Sequence, residues 1–261
     1  MCELLGMNAN VPTDICFSFS GLLQRGGNTG PHRDGWGIVF YNDKGYQIFK
    51  ESLSSSTSLL AKMLPTMSIK SKCIISHVRQ ANVGEVNLEN THPFVRELFG
   101  FHCSFAHNGQ LKGYDKLLTG SYYPVGSTDS EFVFCHLLNK LKNNFNKMPE
   151  DYSLIARLLY NSLTSVEEFG VSNVLMTINS YTFAYCSNNL YWITRKHPFG
   201  QASLIDDDIE IDFQSETKTG DVVSIIATKP LTDNESWNKM TPGQMLVFFN
   251  GKITYNFSRN D

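Results

Sequence analysis

Hydrophobic residues along this chain gather in short runs rich in β-branched and aromatic side chains. They occupy 4–7, 37–41, 47–50, 73–78 and 103–106 in the first half. In the second half they occupy 174–178, 182–186, 190–194, 209–213, 222–227, 246–249 and 253–257. Runs of this length, bounded by Gly, Asn, Asp and Ser, predict strands. Asn42-Asp43-Lys44-Gly45 and Asn250-Gly251 lie between neighbouring runs and predict hairpins. Two stretches follow the helical period instead. Over 129–145, Phe134, Leu137, Leu138, Leu141 and Phe145 recur on one face, and over 151–168, Leu154, Ile155, Leu158 and Leu159 do the same. Thr128 predicts the cap of the first, with Glu131 three residues on completing a capping box. A shorter helix fits 14–23, and the Ser-rich stretch 52–58 reads as a loop capping a short helix that carries Leu59, Leu60, Met63 and Leu64. Hairpins, two helices and then more hairpins predict an α+β fold of layered antiparallel sheets rather than βαβ units.

Composition narrows the picture without changing it. The 261 residues are 41% hydrophobic and 18% charged, ordinary for a globular chain, and they fit a single domain over 1–261. A net charge of −3 with no basic patch argues against a nucleic-acid partner. No apolar run is long enough to span a bilayer, so no membrane is expected. The N-terminus lacks the basic stretch of a signal peptide, and the six cysteines include no CxxC pair, which points to a reduced, cytoplasmic protein. The cluster Asp206, Asp207, Asp208, Glu210 and Asp212 reads as a solvated turn and strand edge. His77, His92, His102 and His107 lack CxxC or HExxH spacing even with Cys73 and Cys103, so they read as core or pocket-wall residues and no metal is expected. No Gly-rich phosphate loop follows a strand, and no cofactor is expected.

Candidate chemistry begins at Cys2. A small residue after the initiator permits removal of Met1, which leaves an α-amine and a thiol on one residue. An α-amine titrates near about 8, so part of it is neutral at pH 7 and can take the proton of its own thiol. Read alone, Cys2 is equally a small apolar residue opening a buried strand. Arg79, at the end of the 73–78 run, has a fork suited to a carboxylate, either of a ligand or of a structural Asp or Glu. Asn108 and Gly109 offer a side-chain amide and a backbone N–H that can form an oxyanion hole; Asn-Gly is also the commonest hairpin turn. Asp129 can bind an ammonium group or simply cap a helix beside Thr128.

Taken in order, these pieces are more specific than any one of them. N-terminal Cys, Arg25-Gly26, Asp34-Gly35-Trp36-Gly37, His77-x-Arg79, Thr91-His92-Pro93, His107-Asn108-Gly109 and Thr128-Asp129-Ser130-Glu131 together resemble the class II glutamine amidotransferase domain. The opening Cys-Glu-Leu-Leu-Gly-Met and the segment Asn-Thr-His-Pro-Phe look like those of the stand-alone YafJ-type subfamily. The resemblance implies a four-layer αββα sandwich of antiparallel sheets, the N-terminal-nucleophile (Ntn) hydrolase fold. It implies Cys2 as nucleophile, its α-amine as base, and Asn108 with Gly109 as oxyanion hole. Arg79, helped by Asn82, would bind the glutamine α-carboxylate and Asp129 the α-ammonium. His92, Arg25, Asp34, Gly35 and Trp36 would support the site. The chain departs from the glutamine-dependent synthases at two positions near the pocket, with Glu3 where they carry Gly and Asn82 where they carry Thr. No ammonia-consuming domain or acceptor site is visible, so a partner enzyme that accepts ammonia stays unidentified. Glutamine is the expected substrate. The alternatives are a larger γ-glutamyl amide, a non-catalytic glutamine-binding or regulatory protein, and a scaffold that keeps Met1.

Overall fold

The computed structural model describes residues 2–117 and 120–259. The chain runs β1 (Glu3–Asp14), α1 (Cys16–Arg25), β2 (Trp36–Asn42), β3 (Gly45–Glu51), α2 (Leu59–Met63), β4 (Lys70–Val78), β5 (Phe94–Leu98) and β6 (Phe101–Leu111). Two helices follow, α3 (Asp129–Asn144) and α4 (Tyr152–Val166). The rest is β7 (Gly170–Ile178), β8 (Tyr181–Cys186), β9 (Tyr191–Lys196), β10 (Gln201–Ser203), β11 (Glu210–Asp212), β12 (Val222–Ala227), β13 (Asn238–Lys239), β14 (Gln244–Phe249) and β15 (Lys252–Phe257). One sheet has seven strands in the order β13-β9-β12-β1-β4-β2-β3, and a second has six in the order β15-β14-β8-β7-β6-β5. Neighbours in both are antiparallel.

The period of two along each strand sorts side chains into layers. On β1, Leu5, Met7 and Ala9 face α1 and α2, together with Ile74 of β4 and Ile225 of β12. Leu4, one position earlier, faces the second sheet and packs with Ile75 of its own sheet and with Ala106, Leu175 and Ala184 of the other. Gly6 lies on that inner face too, where a Cβ would stand 3.0 Å from a methyl of Leu175, so the sheets meet closely at this point. On the far side of β6, Cys103, Phe105 and Leu111 pack under α3 and α4 with Phe134, Leu138, Ile155 and Leu159. The result is the αββα sandwich that the family resemblance implies.

Several boundaries differ from the sequence expectation. β1 continues to Asp14: the buried polar Asn8 bonds Ser180 O and Thr182 Oγ1 and receives Gly251 N, and beyond it Ala9 pairs with Val223 and Thr13 and Asp14 with Ser71 and Lys70. The first helix starts at Cys16, whose N–H donates to Asp14 Oδ1 at 2.6 Å. Thr128 caps α3 as expected, accepting from Glu131 N, but the capping box is not reciprocal. The Glu131 carboxylate instead accepts from Gly126 N and pairs with Arg96. Leu154 of the expected α4 stripe is 51% exposed, while Ile155 and Leu159 are in the core. Asn108-Gly109 is not a hairpin turn: β6 runs through it, opposite Asn173 and Ser172 of β7. Asn250-Gly251 is one, with both residues at positive φ. Among the described residues, no helix is long and apolar enough to cross a membrane.

Candidate active site

Cys2 enters β1 where Glu3 pairs with Val78, at the point where β4 gives way to the 79–82 segment. Its Sγ accepts from Gln80 N at 3.3 Å and donates to Gln80 O at 3.4 Å. The turn before β2 holds that segment in place. Asp34 Oδ2 accepts from Ala81 N at 2.8 Å, Asp34 N donates to Arg79 O, and Arg79 N donates to Gly35 O at 2.7 Å. Gly35 is at φ +142°, a conformation that favours glycine. Trp36 is fully buried and anchors β2 through Nε1 to Glu51 at 3.0 Å. Asp34, Gly35 and Trp36 are thus a brace behind the thiol rather than part of the cavity wall.

Glu3 follows the thiol into a buried ionic cluster. Its carboxylate pairs with Arg25 at 3.4 Å and Lys229 at 3.2 Å, while Arg25 also reaches Asp206 at 2.6 Å. Arg25 therefore ties the start of β1 to the acidic loop, and Asp206 is a structural partner rather than solvated.

Arg79, Asn82, His92, Gly109 and Asp129 come together with Cys2 around one cavity of about 30 Å³. The Arg79 side chain makes no pair with a carboxylate among the described residues; it donates to the carbonyls of Glu85 at 2.9 Å and Val83 at 3.1 Å. Burial lowers its pKa, opposed by Cys2, Asp34 and Asp129. Asn82 is exposed at the cavity edge. Asp129 opens α3 and is buried, with Oδ2 accepting from Leu111 N at 2.9 Å and Oδ1 from Ser130 N at 2.8 Å. Burial raises the Cys2 thiol pKa, the Gln80 backbone and Arg79 oppose the rise, and Asp129 adds to it. This thiol needs a base to become a thiolate.

Asn108 and Gly109 reach the site by different routes. Leu111 N–H leaves the β7 ladder for Asp129, and in a strand the N–H two positions away points to the same edge. Gly109 N–H therefore lies on the free edge of β6, which β5 accompanies only as far as Phe105. A Cβ on Gly109 would meet Val171 O at 1.9 Å, so the close strand pairing there needs glycine. The Asn108 side chain lies behind the cavity wall, with Nδ2 at 3.4 Å from Thr228 Oγ1 and Oδ1 buried without a partner among the described residues. Thr228 Oγ1 also accepts from Leu4 N at 2.9 Å, so one hydroxyl joins the start of β1 to the Asn108 amide.

Sequence reasoning missed Thr228, Gln80 and Ser130. Ser130 Oγ contacts His107 Nδ1 at 2.8 Å and locks β6 to the start of α3. The Thr-Asp-Ser-Glu motif contains Ser130, but no local pattern singles out Thr228. His92 and His77 are buried with ring centroids 4.3 Å apart; no ring nitrogen of either makes a well-formed hydrogen bond among the described residues, and only the His107 backbone favours the charged form of His77. Burial holds both pKa values well below the ordinary histidine value, with Arg79 adding to the effect at His77 and His77 adding to it at His92. The expected removal of Met1 concerns a residue outside the described ones.

A family model for class-II glutamine amidotransferases matches residues 1–261. The chain is 54% identical over 252 residues to YafJ of Escherichia coli (strain K12), covering 97% of this chain and 99% of that one. A crystal structure titled a predicted glutamine amidotransferase from Pseudomonas aeruginosa superposes with a TM-score of 0.79 at 44% identity, over 97% of this chain and all of that one. Glutamine phosphoribosylpyrophosphate amidotransferase of B. subtilis superposes with a TM-score of 0.63 at 15% identity, over 98% of this chain and 49% of that one, a likeness of fold.

Proposed function

The chain belongs to the class II glutamine amidotransferases, enzymes that hydrolyse or transfer an amide, and from that premise we propose that it cleaves the side-chain amide of glutamine with Cys2 as an N-terminal nucleophile. On this reading residues 1–261 work as one domain. It acts in a reducing cytoplasm, a reading that the free state of all six cysteines supports. The observation that carries the proposal is the wall around the thiol. A buried guanidinium and a buried carboxylate, Arg79 and Asp129, border the same cavity as Cys2, and neither makes an ion pair among the described residues. A zwitterionic amino acid supplies the missing partner of each, and a site that pairs both charges discriminates against amides lacking either.

The α-amine exposed by loss of Met1 takes the thiol proton, and Sγ attacks the δ-carbonyl carbon. The oxyanion meets Gly109 N–H on the free edge of β6 and the Asn108 amide behind it. The amine then delivers its proton to the departing ammonia, leaving a γ-glutamyl thioester. Water cleaves the thioester to glutamate and restores the thiol. The cavity has the volume of roughly one water in the liquid. To admit substrate, Arg79 must exchange the Val83 and Glu85 carbonyls for the substrate carboxylate.

A glutaminase assay, intact mass and labelling with an electrophilic glutamine analogue on one preparation test this. The active protein is expected to lack Met1, to take label at Cys2 alone, and to lose turnover but keep glutamine binding in Cys2→Ala. Activity with Met1 fully retained, or label on another cysteine, rejects the mechanism. A preference for γ-glutamyl amides of bulky amines would keep the residue roles and replace glutamine as the substrate.

A further inference from the structure

At the other end of β1 lies a cavity of about 500 Å³, within the size range of small-molecule sites and much larger than the space beside Cys2. Val11, on its wall, is roughly 30 Å along the strand from Cys2 at about 3.3 Å per residue. Its floor is apolar and buried, formed by Met7, Ile15, Val223 and Ile225. Phe17 and Phe199 meet Phe213 edge-on, with centroids 5.5 and 6.2 Å apart. Its rim carries Asp14, Asp212 and Asp221, and none of the three makes an ion pair among the described residues. Of the two rim cations, Arg195 is bound to Glu235 through two hydrogen bonds of 2.8 and 2.6 Å. That leaves Lys70, the cross-strand neighbour of Asp14, as the single cation without an ion pair among the described rim side chains, against three carboxylates.

We propose that this cavity is a second binding site, taking a small organic amine with an aromatic body. The ring would lie on the apolar floor against the phenylalanines, where aromatic edges and faces pack favourably. The ammonium would stand at the mouth, between the carboxylates, since the Arg195 guanidinium already covers the Phe213 ring at 4.9 Å. A neutral ligand leaves the three carboxylates with only the backbone N–H groups of Cys16, Gln214 and Lys218 and the cross-strand Lys70, and an anionic one is repelled by them.

Calorimetric titration of the full-length protein with 2-phenylethylamine, 2-phenylethanol and 3-phenylpropanoate tests the proposal, because the three share one apolar body. The amine is expected to bind saturably, more weakly as salt rises. The alcohol should bind about tenfold more weakly, and the carboxylate should not bind. Asp14→Asn with Asp221→Asn should weaken the amine about tenfold, as should Phe213→Ala. Asp212→Asn, on the exposed rim, gives the same direction should the double variant fail to fold. Arg79→Lys, in the other cavity, should leave amine binding unchanged. Absence of saturable amine binding, equal affinity for the alcohol, tighter binding of the carboxylate, or loss of binding in Arg79→Lys overturns the proposal.

Discussion

Asn108 has an amide oxygen buried without a partner among the described residues and an amide nitrogen only 3.4 Å from Thr228, a long contact for a residue in a strand interior. A side chain kept for packing would settle its polar atoms, since an unsatisfied buried group costs about 1–3 kcal/mol. The arrangement suits a donor whose bond is completed when an oxyanion forms. Asn108→Ala should therefore lower kcat by roughly 10²–10³ while changing KM little. Asn250→Ala should leave the rate unchanged, because Asn250 is exposed on a hairpin at positive φ and does not border the Cys2 cavity. Steady-state kinetics on the two variants separates the roles, and equal losses would refute the oxyanion assignment. The lining of the candidate site was largely legible at this scale, in that Cys2, Arg79, Asn82, His92, Gly109 and Asp129 border one cavity. Thr228 was not legible. It touches Leu4 and Asn108 across more than 100 positions of sequence, and a lone Thr after a strand carries no local signal.

Among the elements, β6 shows where pattern reading stops. Its apolar run ends at Ala106, which leaves a hairpin turn at Asn108-Gly109 open beside the oxyanion hole, yet the ladder with β7 continues to Leu111. Tertiary pairing overrode the local turn preference of Asn-Gly. β5 went unread because Phe94-Val95-Arg96-Glu97-Leu98 places charges in an edge strand, where one side of the ladder is open. The helices were clearer, since α3 and α4 carry long apolar faces. The β6–β7 contact also yields a prediction. A Cβ at Gly109 would sit 1.9 Å from Val171 O and 2.6 Å from His107 Nε2, so Gly109→Ala must push the strands apart. It should cost about 1–3 kcal/mol of stability and move the N–H that faces the site, lowering kcat as well. Gly200→Ala, with nothing within 4 Å of its Cβ position, should change neither. Urea unfolding and kinetics on both variants check this; a stable, fully active Gly109→Ala would show that the strand contact is not tight.

For the whole molecule, the two sheets close over histidines held neutral by burial. His77 sits on β4 between Leu4 and Gly37, and His92 packs against it at a tilt of 41° from the segment leading into β5, in the second sheet. Neither ring has room for a charge: Arg79, His32 and His107 surround His77, and Lys50 and Arg79 oppose protonation of His92. Their folded pKa values therefore lie below the unfolded value of about 6.5. As pH falls through that value the unfolded chain takes up protons that the folded chain refuses, so stability is level above it and declines below it. Each histidine contributes a slope of up to about 1.4 kcal/mol per pH unit in that window. His77→Phe keeps a ring of similar size and removes one of the two titrations. Between about pH 7.5 and about pH 5.5 the wild type should lose up to about 1.4 kcal/mol more than His77→Phe, whatever the difference between them at neutral pH. Urea midpoints at the two pH values measure it, because carboxylates and exposed histidines contribute equally to both proteins and cancel. Parallel losses would mean that His77 takes up its proton in the folded state, and that the closure between the sheets admits a charge which its burial argues against.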